Sequence, residues 1–400
     1  MRIPKLLFAG IIAIATSSVT TIGSTSDSAA AHARRPAKRY EAACLRIDCL
    51  RINQLQNIGT HNSYHVQGDP DVFGLLQAFS PSLAATLEYS HPPLATQFSD
   101  QRARQIELDV FADPNGGYYN DRHIYKALGK PTASGIPDLS RPGLKVMHVQ
   151  DVDFKTRCYT FVACLRQVRR WSDAHPNHLP ITILVEAKDD PIIDPANLGF
   201  VIPLPFDATA LDEIDHEIRR VFAPNNIITP DDVRNGAPTL EQSVLSGKGW
   251  PTVGASRGKV MFLLDNESRR DLYLQGHPNL EGRVLFTPST PGQPDAAFLK
   301  DNDPVGPDGL EWQRIQGYVA AGYVVRTRAD ADTLQARAND TTMRDAAIRS
   351  GAQWVSTDYP TPADNIFGTG YFVELPGGGV SRCNPINAGR TCHIFDVRSN

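Results

Sequence analysis

The sequence predicts an α/β fold, a TIM-barrel-like (β/α)8 barrel built as a single domain with long loops at its mouth. Three observations predict it. Eight short apolar or β-branched runs recur along the chain, at 55–59, 105–111, 144–149, 181–187, 259–265, 284–288, 323–328 and 354–358. Between several of them, apolar residues fall three or four apart, at 164–175, 211–222, 309–321 and 341–350, which read as helices. Strands alternating with helices imply βαβ units and a parallel sheet. No glycine-rich phosphate loop follows any of the runs, and a count of eight favours closure over an open doubly wound sheet.

At the N-terminus, Arg2 and Lys5 precede the apolar run 6–16, and small residues continue to Ala31-His32-Ala33. This is the pattern of a secretory signal peptide over 1–33. Its apolar core is shorter than the roughly 20 residues that span a bilayer, so a secreted, extracellular protein is expected. Residues 34–43 continue a small, basic stretch without apolar period and predict a flexible lead-in. The barrel domain is expected over 44–400, ending in a disulfide-containing tail.

The six cysteines fall as three close pairs, Cys44/Cys49, Cys158/Cys164 and Cys383/Cys392. An even count in an exported chain argues for disulfides, and pairing within each couple is preferred. Zinc is the weaker reading, because no CxxC occurs and His393 is the one histidine near a pair. The composition, 41% hydrophobic and 21% charged, is that of an ordinary globular protein. A formal net charge of -4 leaves no basic footprint for nucleic acid. A monomer is expected.

Continuous apolar strings such as ITILV at 181–185 and VMFLL at 260–264 fit strands buried on both faces. The segments 66–100, 112–143 and 188–210 are long and rich in Gly, Pro and Asp, and read as loops or insertions over the barrel mouth. Phe73, Leu75 and Phe79 in the first of these are expected to be buried in the wall rather than to dip into a lipid interface, since large exposed apolar patches are rare.

Four of the early runs end in polar residues that a buried strand avoids. The first leads into Thr60-His61-Asn62-Ser63-Tyr64, the second carries Glu107 and Asp109, the third ends at His148, and the fourth holds Glu186 and Lys188. At the C-terminal ends of consecutive barrel strands they converge on one mouth, where such barrels build active sites. Strand residues two apart face the same side, so Glu107 and Asp109 both point to the axis, as do Glu186 and Lys188. Inward carboxylates with the amide oxygen of Asn62 make a hard, oxygen-rich site suited to Ca2+, or less well Mg2+, rather than zinc. Such a cation relieves the mutual repulsion of the carboxylates.

His61 and His148, flanking that cluster, suit general acid and base work on a phosphodiester. The bland alternatives are a solvated strand edge for Glu107 and Asp109, a surface ion pair for Glu186 and Lys188, and satisfied structural histidines. The remaining histidines read as structural or exposed, with His65 and His123 nearest the mouth. A serine nucleophile at Ser63 lacks the G-x-S-x-G elbow.

IGTHNSYH (58–65), QIELDVFADP (105–114), VMHVQDVDF (146–154) and HLPITILVEAKDD (178–190) resemble, in order and spacing, the X-region motifs of calcium-dependent phosphatidylinositol-specific phospholipase C of the secreted bacterial type. Firm resemblance covers 50–190; beyond it stand the strand pattern and WVSTDYP (354–360). The resemblance implies a catalytic barrel that cleaves the glycerol–phosphate ester of phosphatidylinositol to diacylglycerol and a cyclic inositol phosphate. It implies that His61 and His148 are the catalytic histidines, that Asn62, Glu107, Asp109 and Glu186 hold calcium, and that Lys188 approaches the phosphate. Transient contact with a membrane surface is then expected. Arg102-Ala103 departs from the glycine and small aliphatic residue usual before the second strand.

Two other readings stand beside it. A glycerophosphodiester phosphodiesterase or phospholipase D-type barrel uses a similar ExD pair, but tends to carry His-Arg where this chain has His61-Asn62. A non-catalytic secreted barrel that binds lipid or sugar is the second, against which stands retention of the whole histidine and carboxylate set.

Overall fold

The computed structural model describes residues 47–389 and Cys392. The expected signal peptide, the lead-in at 34–43, Cys44 and His393 lie outside the described residues. Among the described residues eleven strands form one sheet: β1 Leu55–Thr60, β2 Gln105–Phe111, β3 Lys145–Val146, β4 Ile181–Ala187, β5 Ile227–Ile228, β6 Val260–Leu264, β7 Leu285–Phe286, β8 Phe298–Lys300, β9 Val324–Arg328, β10 Trp354–Thr357 and β11 Ser381–Cys383.

Eight of these run parallel around a TIM-like barrel. β1 pairs with β2, β2 with β4, β4 with β6, and β6 with β7; from the other side β1 pairs with β10, β10 with β9, and β9 with β8. The ring closes between β7 and β8 through a single bridge, Pro288 to Phe298, with the Ser289 amide donating to the Phe298 carbonyl at 3.1 Å. β5 shares the β6 edge with β7, and β3 and β11 lie antiparallel on β2 and β1.

Seven of the eight expected strands are barrel strands. The run at 144–149 is not: it leaves the barrel as β3, which turns back along the end of β2 with Val146 opposite Val110. Its place is taken by β8, whose three residues are too short to carry a period. The four expected helices are present as Phe161–Ala174, Ala208–Val221, Glu311–Ala321 and Thr342–Ser350. Thr160 caps the first by accepting from the Ala163 amide at 3.1 Å, and Asp207 caps the second from the Ala210 amide at 2.9 Å.

The strings at 181–185 and 260–264 are fully buried, pressed between the barrel interior and the helices. Gly59 sits opposite Gln105 across β1 and β2, where an added β-carbon would fall 2.7 Å from that of Gln105. The missing side chain lets the two site-bearing strands meet. A second apolar cluster, including Val72, Phe73, Phe111, Tyr119 and Phe154, lies beneath the mouth loops, so Phe73 is buried as expected. Disulfides join Cys158 to Cys164 and Cys383 to Cys392. No helix among the described residues is long and apolar enough to cross a membrane.

Candidate active site

The register of β2 against β4 sets the centre of the mouth, because Asp109 pairs directly with Glu186, and Glu107 lies two residues back on the same side. Oxygens of Glu107, Asp109 and Glu186 fall within 4.8 Å of one another. Lys188, just past β4, brings its ammonium to 3.1 Å from Asp109 and 3.7 Å from Glu186. Burial works against that charge, but the two carboxylates outweigh it and raise the lysine above its ordinary pKa. Asp109 is fully buried, and neither of its oxygens accepts a well-formed hydrogen bond. Burial, then Glu186 and Glu107, push its carboxyl well above the usual range despite Lys188.

Glu107 accepts from the Arg326 guanidinium at 2.6 Å and is nevertheless raised, first by burial and then by Asp265 and Glu186. Asn62, directly after His61, is buried with φ 42, a left-handed conformation that asparagine tolerates better than most residues. Its amide nitrogen donates to Tyr89 at 3.0 Å, and the Tyr64 hydroxyl lies 3.5 Å from its oxygen. An all-oxygen donor set with an unsatisfied buried carboxylate fits a hard divalent cation.

Two histidines lie near this cluster. His61 follows β1, with its Nε2 3.9 Å from Glu107 and its Nδ1 3.0 Å from Asp358 at the end of β10. Burial, then Arg328, bring its pKa down to about 3, with Asp358 opposing. Burial also opposes the charge on Asp358, but His61, His91 and Arg328 outweigh it and hold that carboxyl far below its usual range. His148 is carried by the loop after β3, so it reaches the mouth from outside the barrel wall. Its Nδ1 lies 2.7 Å from Asp153. Burial lowers its pKa, with Asp153 pulling the other way. Asp153 also takes His65 Nε2 at 2.9 Å, and the buried His65 ring stacks on Tyr89 with centroids 4.3 Å apart.

All seven residues singled out in the sequence therefore belong to one neighbourhood. Sequence reasoning passed over the partners of the histidines, Asp358 and Asp153, and the arginines Arg326 and Arg328. Arg326 donates to Ser356 and Asn302 besides Glu107, and Arg328 lies 3.4 Å from His61 and 3.7 Å from Asp358. Asp265 at the end of β6 and Lys300 on β8 pair at 3.1 Å, with Asp265 near enough to act on Glu107. Two arginines at alternate positions of a buried strand, in VVRTR, were the available signal. His123, the other histidine near the mouth, lies 3.0 Å from Asp151 and pins a loop.

A family model described as Ca2+-dependent phosphoinositide phospholipase C matches residues 50–385. The chain belongs to that family. Membership makes it a phosphoric diester hydrolase of the phosphatidylinositol-specific phospholipase C type, calcium-dependent as a family. Among solved structures it is similar to the calcium-dependent phosphoinositol-specific phospholipase C of a Gram-negative Pseudomonas sp., at 17% identity and TM-score 0.46, over 84% of this chain and 96% of that one. It is also similar to the Ca2+-dependent phosphatidylinositol-specific phospholipase C of Streptomyces antibioticus, at 17% identity and TM-score 0.48, over 80% and 98%. The corresponding figures for the phosphatidylinositol-specific phospholipase C of Listeria monocytogenes are 12%, 0.42, 81% and 96%. No curated protein matches the chain.

Proposed function

We propose that this phospholipase C is a secreted enzyme that cleaves phosphatidylinositol to diacylglycerol and a cyclic inositol phosphate, with His61 as general base and His148 as general acid. The observation that carries the reading is the pairing of each imidazole with a buried aspartate, His61 beside Glu107 and His148 within the electrostatic reach of Lys188. Asn62, Glu107, Asp109 and Glu186 would hold calcium. When bound, calcium supplies positive charge at the phosphate and lowers the pKa of the inositol 2-hydroxyl.

Asp358 accepts a hydrogen bond from Nδ1–H of His61 and so leaves Nε2 as the acceptor facing the site. Burial and Arg328 leave His61 unprotonated at rest, and Asp358 stabilises the imidazolium that forms when His61 removes the proton of the 2-hydroxyl. His148 has Asp153 behind it, which stabilises an imidazolium, so its Nε2 is suited to return a proton to the leaving glycerol oxygen. Lys188 would neutralise a phosphoryl oxygen. The hydrogen-bonding charged groups of Asp265, Lys300, Arg326 and Asp358, on successive parts of the ring, suit a polyhydroxyl head group. An internal hydroxyl nucleophile has a large effective-molarity advantage over water, which accounts for a cyclic first product.

Secretion is supported by the two disulfides, which persist in oxidising compartments. The test is phosphorus NMR of the products from phosphatidylinositol, with calcium and with a chelator. A cyclic phosphodiester formed only with calcium supports the reading. Cleavage of glycerophosphoinositol alone would assign the chain to the glycerophosphodiesterase chemistry instead.

A further inference from the structure

The imidazole assigned as general acid stands on a segment that is not part of the barrel. His148 follows β3, which turns back along β2, so the register of the barrel strands leaves its position against the carboxylate cluster unset. The flap that carries it is a narrow hairpin in which Val149 and Asp153 exchange backbone hydrogen bonds at 3.0 Å. Asp153 is thereby held beside His148 and accepts from its Nδ1 at 2.7 Å. That contact is local to the hairpin and does not place the hairpin against the mouth.

The link to the mouth is His65, in the loop that leaves β1 through His61 and Asn62. Its amide donates to the Asn62 carbonyl at 2.8 Å, and its carbonyl accepts from the His91 amide at 3.0 Å. It lies opposite Thr156 of the flap, where the Arg157 amide donates to the Tyr64 carbonyl at 2.8 Å. The ring is fully buried and stacked on Tyr89. Its Nε2 lies 3.1 and 2.9 Å from the two oxygens of Asp153. The oxygen 2.9 Å away, Oδ2, is the one that His148 Nδ1 meets, so two imidazoles from different elements converge on one buried atom. Burial opposes the charge on Asp153, but His65 and His148 outweigh it and hold the carboxyl below its usual range, so both nitrogens donate. The Nδ1 of His65 is buried and meets no partner. An apolar side chain would fill the same space without orphaning a polar atom, so packing alone does not account for a histidine here.

We propose that His65 is a positioning residue for His148: it fixes the Asp153 carboxylate from the barrel side and so holds the His148 imidazole in place over the leaving oxygen. This role rests on the reading of His148 as the general acid. A carboxylate held only from its own hairpin is free to turn about its side-chain bonds, and a second donor from another element removes that freedom. Being fully buried, His65 touches no reacting atom.

The test compares two leaving groups. Glycerol needs a proton as it leaves phosphatidylinositol, whereas 4-nitrophenolate leaves an inositol 4-nitrophenyl phosphodiester as a stable anion, so a misplaced general acid slows the first alone. His65→Phe keeps a ring on Tyr89 and removes the donor. It lowers kcat on phosphatidylinositol roughly 10–100-fold and on the nitrophenyl ester less than about threefold, with the calorimetric Kd for calcium within about twofold of the parent. His65→Gln, whose amide nitrogen reaches as far as Nε2, recovers turnover to within about fivefold of the parent, and the shorter His65→Asn does not. Equal losses on the two substrates, no loss in His65→Phe, or a glutamine variant no better than the asparagine one overturns the role. Should His65→Phe fail to fold, the glutamine and asparagine variants decide by the same comparison. His148→Ala separates the two levels. A loss confined to phosphatidylinositol there, beside an indifferent His65→Phe, overturns the role of His65 alone; parent turnover in His148→Ala overturns the general-acid reading and the role of His65 with it.

Discussion

Asp109→Asn is expected to leave the metal-free protein at least as stable as the parent while removing most of its stabilisation by calcium. The oxygens of Glu107, Asp109 and Glu186 lie within 4.8 Å of one another, so two full charges there repel by at least about 3.5 kcal/mol at an effective dielectric near 20. Asp109 faces two such neighbours. Lys188, 3.1 Å away, contributes about 5 kcal/mol of attraction on the same scale. Repulsion wins by about 2 kcal/mol, before the cost of burying a carboxylate with no hydrogen bond to either oxygen. The sign follows from the raised pKa of Asp109. Its contribution to metal-free stability is fully present below the unfolded value of 3.8 and is lost as pH rises, and asparagine removes that loss. Lys188 keeps Glu186 as a partner in the variant. Calcium at about 100 times its Kd adds about 2.7 kcal/mol to the parent, or about 4 °C in Tm. Thermal unfolding at neutral pH, in chelator and in calcium, measures both effects. A variant that loses several degrees in chelator yet keeps the full calcium response would refute the assignment of Asp109 to the cation site.

Calcium affinity should tighten as pH rises through neutrality, because burial raises Glu107 to about 7 and the site gives up protons on binding; a calorimetric Kd that ignores pH between about 6 and 8 contradicts this. Asp358→Asn should lower kcat by about 10²–10⁴ with little change in KM, since it removes the acceptor that orients His61. Turnover within a few-fold of the parent would take Asp358 out of the chemistry. His178 is buried in its neutral form between Ser172 and the Leu179 carbonyl, and burial lowers its pKa to about 4. The unfolded chain then binds the extra proton, so stability is intact above 6.5 and falls as pH drops toward about 4, by up to about 3 kcal/mol. Parallel acid-unfolding slopes for the parent and His178→Gln would show that this imidazole titrates normally.

The apolar strings of β2, β4 and β6 announced themselves because a strand buried on both faces has no polar alternation to blur it. β8 was missed for the opposite reason, and β7 is shorter than the run that marked it. Two or three residues carry no period, and a chain that makes one bridge at the barrel seam has little need of apolar length. The alternation at 144–149 is equally compatible with a barrel strand and with an antiparallel flap; the choice is made by which edge of β2 is free at its C-terminal end.

The sequence by itself determined which charged side chains share a face, because two-residue spacing on a strand puts Glu107 with Asp109 and Glu186 with Lys188 on one side, whatever surrounds them. Only the tertiary structure decided which carboxylate stands behind which imidazole. Asp358 is 297 residues from His61, and the barrel brings them together by laying β10 alongside β1. The same closure sets Arg326 on Glu107 across 219 residues. Contacts of that kind depend on strand order and register, which emerge from packing the whole ring and leave no local pattern in the chain.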